Sequence, residues 1–364
     1  MKKSLFLSCS LLSFLIVGCN FGTQPIIRRS SEPVPVTNLN PSSLPSPSPS
    51  ASSKPVIDES EKIAFMSNKS GFWDIYIMNT DGSNQQKITK DDMREAYPYS
   101  ISPDGKKLAY ISDKTGNSDL WVMDLASKST TQVTDTESAD EGSPSWSSDS
   151  QSIAFHSNDG GGFFKILQVS YPLNDKGKNT FKNLIAEPDI NALHPSFSPD
   201  GNKFLYSLVD SSNNATLHIF DFQSKKDKII TQKNDQPVNG SWAPDSSKVI
   251  YWTNFNGIFQ TNSDGSGNIQ VGAIKNIKGT PFFSPDGKKI VFARGYGFAD
   301  DYNVWIMDND GRNPKKITSE GGISLSWYKV AKNSTTISNP NTPTGSNNTG
   351  GNSTIDPNDP VINP

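Results

Sequence analysis

The sequence predicts an all-β fold, a six-bladed β-propeller of four-stranded blades flanked by disordered tails, and three observations predict it. A heptad built around a turn recurs along the chain, a fixed series of short strands follows each copy, and the copies are about one blade apart. The heptad reads Pro195-Ser196-Phe197-Ser198-Pro199-Asp200-Gly201, with further copies over 98–105, 144–150, 240–246 and 281–287. Its aspartates stand at 104, 149, 200, 245 and 286, so the spacings are 45, 51, 45 and 41 residues. A repeat of that length in a chain of short strands is the mark of propeller blades.

The heptad has the chemistry of a turn. Proline fixes φ, aspartate bonds its own backbone two residues on, and glycine supplies positive φ. An aromatic or β-branched residue flanked by small polar ones precedes the turn and reads as a short innermost strand. A second strand follows it in 107–111, 152–155, 203–206, 248–252 and 289–292, and 62–66 is a sixth copy without the turn in front. A third strand appears in Asp74-Ile75-Tyr76-Ile77-Met78, 119–123 and 303–307, and a short fourth in 86–89, 132–134 and 316–318. A lone four-stranded blade cannot bury its faces, so the units must stack around a ring.

The order P-x-[W/F]-S-P-D-G, I-A-F, D-I-Y-x-M, K-I-T resembles the WD-like repeats of the TolB propeller family, across about residues 61 to 328. The Gly-His and Trp-Asp markers of eukaryotic WD repeats are absent. The resemblance implies a propeller domain over 61–330.

Residues 1–19 read as a lipoprotein signal peptide. Lys2 and Lys3 form a basic start, residues 5–17 an apolar core too short to span a bilayer, and Ile16-Val17-Gly18-Cys19 a lipobox. Cys19 is the expected lipidation site, and acyl chains there would hold the protein at a membrane. Asn20 in place of aspartate suits outer-membrane sorting in a Gram-negative host. Of the two cysteines, Cys9 leaves with the signal peptide, so the folded domain has no disulfide framework and no thiolate metal site. Residues 20–60 are a Ser/Pro-rich tether and 331–364 an Asn/Thr/Gly/Pro-rich tail, both too poor in apolar residues to order themselves.

The formal net charge of −3, with no basic block, argues against nucleic-acid binding. The three histidines, His156, His194 and His218, have no zincin spacing, and no G-x-S-x-G, P-loop or G-x-G-x-x-G occurs. No cofactor is expected. Asn79–Gly82, Asn262–Gly265 and Asp308–Gly311 read as hairpin turns rather than calcium loops. Trp121, Trp146, Trp242 and Trp305 read as packing between blades.

His194 stands directly before a repeat proline, where other units carry Tyr97, Ser143, Asn239, Thr280 and Ser324. That places it at the start of an innermost strand, as a solvated residue at the channel mouth. The loop from Arg294 through Tyr296 and Phe298 to Tyr302 is long and aromatic, and loops of that kind carry function on rigid scaffolds. Loops entering innermost strands share a face with the second-to-third-strand loops, and acidic residues outnumber basic ones in both sets. Asp135, Glu137, Asp140 and Glu141 supply much of that excess. The candidate binding face is therefore Tyr97, His194, Asn239, Asp135, Glu137, Asp140, Glu141, Arg294, Tyr296, Phe298 and Tyr302.

The function expected is that of a monomeric, lipid-anchored module of the bacterial envelope that binds or scaffolds another envelope protein or peptide. The alternative is a propeller enzyme, a metal-dependent hydrolase or lyase with ligands converging at the channel mouth. A third is a spacer without a partner. Finally, 62–66 has no innermost strand before it and 323–328 has nothing after it, so the two should complete one blade. Replacing the lipobox cysteine, Cys19→Ser, is expected to abolish palmitate incorporation in cells. Undiminished labelling of the mutant would contradict the lipobox.

Overall fold

The computed structural model describes residues 60–90, 98–158, 162–173, 180–231, 236–253, 257–272, 274–295 and 301–330. Cys19, residues 20–59, Tyr97, Tyr296, Phe298 and residues 331–364 lie outside the described residues. The strands form six antiparallel four-stranded sheets, as the repeat count predicts.

The first blade contains β1 (Glu61–Ser67), β2 (Asp74–Met78) and β3 (Gln86–Lys87). The second blade is β4 (Tyr99–Ile101), β5 (Lys107–Ser112), β6 (Asp119–Asp124) and β7 (Thr130–Gln132). The third is β8 (Glu141–Trp146), β9 (Ser152–Ser157), β10 (Lys165–Ser170) and β11 (Lys182–Ile185). The fourth comprises β12 (Asn191–Phe197), β13 (Lys203–Val209), β14 (Ala215–Asp221) and β15 (Lys226–Ile229). The fifth is β16 (Pro237–Trp242), β17 (Lys248–Thr253), β18 (Gly257–Asn262) and β19 (Ile269–Gln270). The sixth is β20 (Phe282–Phe283), β21 (Lys289–Arg294), β22 (Asn303–Asp308) and β23 (Lys315–Lys316), and β24 (Ile323–Lys329) ends the domain.

β24 returns to the first blade, giving the order β24-β1-β2-β3. It pairs antiparallel with β1, Glu61 opposite Lys329 and Ile63 opposite Trp327. The innermost strands then meet in an unbroken ring, β4 to β8, β12, β16, β20, β24 and back to β4. Closure by strand exchange, expected from the incomplete first and last units, is therefore what the fold uses.

Four of the five turns work through the serine two residues before the aspartate; at 240–246 that position is Ala243. Ser102 Oγ donates to Asp104 Oδ1 at 2.5 Å and accepts from Lys107 N at 2.9 Å. Ser198 repeats the pair with Asp200 and Lys203 at 2.6 and 2.9 Å, and Ser284 with Asp286 and Lys289 at 2.6 and 2.9 Å. The aspartate also accepts the N–H two residues on, as from Asn202 at 3.0 Å. Gly201, at φ 73, closes the turn where a side chain would be strained. The same turns stitch neighbouring blades: Asp104 N reaches Ser150 Oγ at 3.2 Å, and Asp200 N reaches Ser246 Oγ at 3.0 Å.

The K-I-T threonine has an equally defined duty. Thr89, Thr134, Thr231 and Thr318 accept the third-strand N–H of Ile75, Leu120, Leu217 and Val304 at 2.8–3.0 Å. Fourth strands are short, so this hydroxyl replaces a ladder bond where the strand has ended.

Second strands lie inside their blades and between blades, so they are apolar on both faces. Ile63, Ala64, Phe65 and Met66 are fully buried, as are Val249, Ile250 and Tyr251. The apolar clusters cross the seams: one joins Ala109, Ile111 and Leu120 of the second blade to Trp146, Ile153 and Phe155 of the third. Trp242 packs with Leu205 and Leu217 of the preceding blade and donates Nε1–H to Ser196 O at 3.1 Å. Trp146 and Trp242 thus pack between blades as expected. Trp121 and Trp305 are half-buried, with Lys114 Nζ 3.5 Å and Arg294 Cζ 5.3 Å from their ring centres.

Ile323 and Leu325 of β24 are buried in the cluster that also holds the second strand of the first blade. Truncation after Gly322 removes both and opens two strand edges, which is expected to lower Tm by roughly 10 °C or more. Truncation after Asn333 should leave it nearly unchanged. Equal melting temperatures for the two truncations in calorimetry would contradict the seam's role.

Candidate functional site

His194 is not at the mouth of a strand. It lies inside β12, where the pairing with β13 slips between Leu193 and Ser196. Its φ is 53, and Ser143 of β8 and Ser324 of β24 share this left-handed conformation at 47 and 48. Three innermost strands therefore carry a left-handed residue at a bulge before the repeat proline or its equivalent, which re-aims that side chain, and β16 slips likewise between Pro237 and Gly240. Ser143, Asn239 and Ser324 also lie within their strands rather than before them. Bulges leave no pattern in a single repeat, so these strands begin several residues earlier than the sequence suggests.

The bulge turns the imidazole of His194 onto the preceding blade instead of into solvent. The ring is half-buried and lies 5.8 Å from that of His156, edge to face. His194 N donates to His156 Nδ1 at 3.4 Å, which makes that nitrogen an acceptor. Gly142 is required beside them, because a Cβ there would run into the His156 ring. Burial holds His194 down to about 4. His156 lies well below the usual imidazole range through burial and then the adjacent His194. Both rings are neutral at physiological pH.

The acidic candidates divide. Asp135 and Glu137 are exposed, and Asp140 is half-buried, its N–H donating to Asn158 Oδ1 at 2.9 Å. Glu141, expected in an exposed loop, is instead 4% exposed and is the first residue of β8. Its carboxyl meets Ser157 Oγ at 3.0 Å and Thr134 and Thr136 Oγ1 at 3.3 Å. Burial, less these hydrogen bonds, and the nearby Asp119 push Glu141 up to about 7.

Asn239 is half-buried and accepts Trp252 Nε1–H at 2.9 Å, a packing duty within its own blade. Arg294 and Tyr302 are half-buried on the sixth blade, and Tyr302 packs on the cluster shared with the first. Burial and then Asp301 raise the Tyr302 hydroxyl. The ring order puts the first and second blades between Tyr302 and the 135–141 segment, so the structure does not bring these two candidates together. Tyr97, Tyr296 and Phe298 lie outside the described residues.

One grouping escaped the sequence reading. On the fourth blade a cleft of about 390 Å³ is lined by Ile190, Leu208, Asp210, Thr216, His218 and Ile229, among others. His218 Nδ1 meets Asp227 Oδ2 at 2.7 Å, Tyr206 donates to Asp227 Oδ1 at 2.7 Å, and Thr216 Oγ1 lies 3.0 Å from His218 Nε2. The chain ties β13, β14 and β15 together. Its partners come from three strands at unrelated spacings, so only cross-strand register reveals it. Among the described residues, no three His, Cys, Asp or Glu converge as a metal site would require.

The family model described as a TolB beta propeller domain matches residues 39–183. The domain is a six-bladed β-propeller similar to that TolB propeller domain. The Tol-Pal system protein TolB of Francisella tularensis subsp. mediasiatica (strain FSC147) is 30% identical over 106 residues, 28% of this chain and 24% of that protein. The chain thus spans about a quarter of the length of the curated relatives it matches. The crystal structure of TolB from Acinetobacter baumannii superposes with a TM-score of 0.63 at 22% identity, over 74% of this chain and 67% of that one. A chain of a nidogen/laminin complex gives 0.58 at 9% identity, over 74% and 99%. At these identities the two structures speak for the fold alone.

The desolvated imidazoles of His156 and His194 set an acid limit on the propeller. Their folded affinities for protons lie below the unfolded value near ~6.5, so the folded state binds fewer protons and stability is lost as pH falls from there through about 4. Replacing His194 with the serine found at positions 143 and 324, His194→Ser, is expected to shallow that loss. Superimposable acid-unfolding profiles for parent and variant would rule it out.

Proposed function

We propose that the protein is a lipid-anchored envelope protein whose propeller binds another envelope protein or peptide through its acidic rim. The observation that carries the binding role is the TolB-like domain, because the relatives it matches bear the name of a Tol-Pal system protein. Cys19 supplies the anchor and residues 20–60 the reach of the tether. The rim is narrower than the sequence alone suggests: Asp135 and Glu137 are its exposed carboxylates and Asp140 its half-buried one, with Glu141 beneath them. Like charges gathered on one loop raise the local concentration of a cationic partner, and the attraction decays over about 10 Å at 0.1 M salt.

On this reading, the rim variant Asp135→Asn, Glu137→Gln, Asp140→Asn captures its partner from envelope extracts several-fold less well at low salt. It also shows a flatter dependence on added salt than the parent. A variant of the opposite, turn-bearing face, at Lys106, Lys107, Lys288 and Lys289, should capture normally. Capture lost from the lysine variant and kept by the rim variant would move the site to the other face.

A further inference from the structure

The junction of the second and third blades buries two carboxyl groups together. Asp119, the first residue of β6, is fully buried, and Glu141, the first of β8, nearly so. Thr134 Oγ1 lies 3.3 Å from Asp119 Oδ1 and 3.3 Å from Glu141 Oε2. That hydroxyl has one hydrogen, and its oxygen already accepts Leu120 N–H at 2.8 Å. It can satisfy one carboxylate, not both.

The first blade shows how this point is managed with a cation. Asp74, the counterpart of Asp119, is also fully buried, and Lys87 Nζ sits 2.6 Å from its Oδ2. Lys87 stands opposite Tyr76, and the corresponding residue opposite Trp121 is Gln132. Gln132 Nε2 reaches Asp119 at 3.1 Å but brings no charge. The fourth blade has the buried Ala192 where the third has Glu141. The second blade thus lost the cation of the first, and the third added a carboxyl group beside it. Among the described residues neither carboxyl has an ion-pair partner within 4.0 Å.

We infer that Glu141 holds a proton beside the buried Asp119, and that this proton keeps the 135–140 linker seated between the second and third blades. The side on which it rests follows from the donors. Asp119 accepts from Thr136 N at 3.4 Å, a backbone donor that cannot turn, and from Thr115 Oγ1 at 2.8 Å. Glu141 meets hydroxyls, Ser157 at 3.0 Å and Thr136 at 3.3 Å, which rotate to accept its proton or to donate when it has gone. Two buried carboxylates of like charge otherwise repel without a counter-ion.

The linker depends on the same groups. Thr136 bonds both carboxyl groups, Glu141 N donates to Ser118 O at 3.0 Å, and Asn117 Nδ2 donates to Thr136 O and Ala139 O. The charged and titratable groups around the pair are Asp113 and Lys114 of the β5–β6 loop, and Asp135, Glu137 and Asp140 of the linker. His156 follows on β9 beside Ser157, then Lys165 opposite Ser157 on β10, and His194 on β12. Burial pushes Glu141 up to about 7, so loss of the proton falls within the physiological range. With the folded value above the unfolded one, the folded state binds the extra proton, and this contribution to stability fades as pH rises toward 7. Its sign is opposite to that of the two histidines, and single variants separate the two.

The test uses the full chain and two substitutions. Infrared difference spectra near pH ~6 should show a protonated carboxyl band in the parent that is absent from Glu141→Gln. Gln132→Lys, which restores the cation of the first blade, should remove the same band with Glu141 still in place. Glu141→Gln should also gain Tm over the parent progressively as pH rises from ~5.5 to ~8, and the amides of 136–141 should stay protected across that range. A parent without the band, or a Tm difference that does not change with pH, overturns the proposal. If Glu141→Gln does not fold, the parent and Gln132→Lys spectra decide alone.

Discussion

The pairing of β24 with β1 is the contact on which the rest of the ring depends. Every other blade is made from consecutive strands, so its hydrogen bonds close over short loops. The first blade instead joins Lys62 to Tyr328. Before that pairing forms, the sixth and first blades each present an unpaired edge, and the apolar faces at their seam have nothing to pack against. Once it forms, Phe65, Val291, Val304 and Leu325 share one cluster with Tyr99 and Leu108 of the second blade. The ring is therefore either closed and buried on every seam or open at two.

Within the ring, short side chains do the work that longer strands would otherwise do. Serine and aspartate close the turn in four of the five heptads, the N–H groups of Asp104 and Asp200 reach the next blade, and the K-I-T threonine finishes a fourth strand only two to four residues long. Because these groups saturate one another locally, the repeat tolerates wide variation elsewhere. Asp74 and Asp119 show the consequence: the same carboxylate is neutralised by Lys87 in one blade and set beside a second carboxyl group in the next.

Those substitutions concentrate ionisable groups on one sector. The neutral histidines of the third and fourth blades oppose acid, and Glu141 opposes base, with the exposed Asp135 and Glu137 above them. Buried groups of opposite tendency so near one another confine the most stable state of this sector to a band of pH between their two limits.

The repeat spacing, the S-P-D-G turn and the unmatched strands at 62–66 and 323–328 determined by themselves the blade number, the strand order and the way the ring closes. They are local or periodic signals, and periodicity survives in a linear chain. Tertiary structure alone decided what the candidate residues face. His194 and Asn239 were readable as neighbours of an innermost strand, but a one-residue bulge, invisible in composition, turned His194 toward His156. Glu141 resembled Glu137 in sequence, four residues away, yet one is buried against Asp119 and the other exposed. The His218–Asp227–Tyr206 chain was illegible for the same reason. Side chains meet across strands by register, and register is set by the sheet, not by distance along the chain.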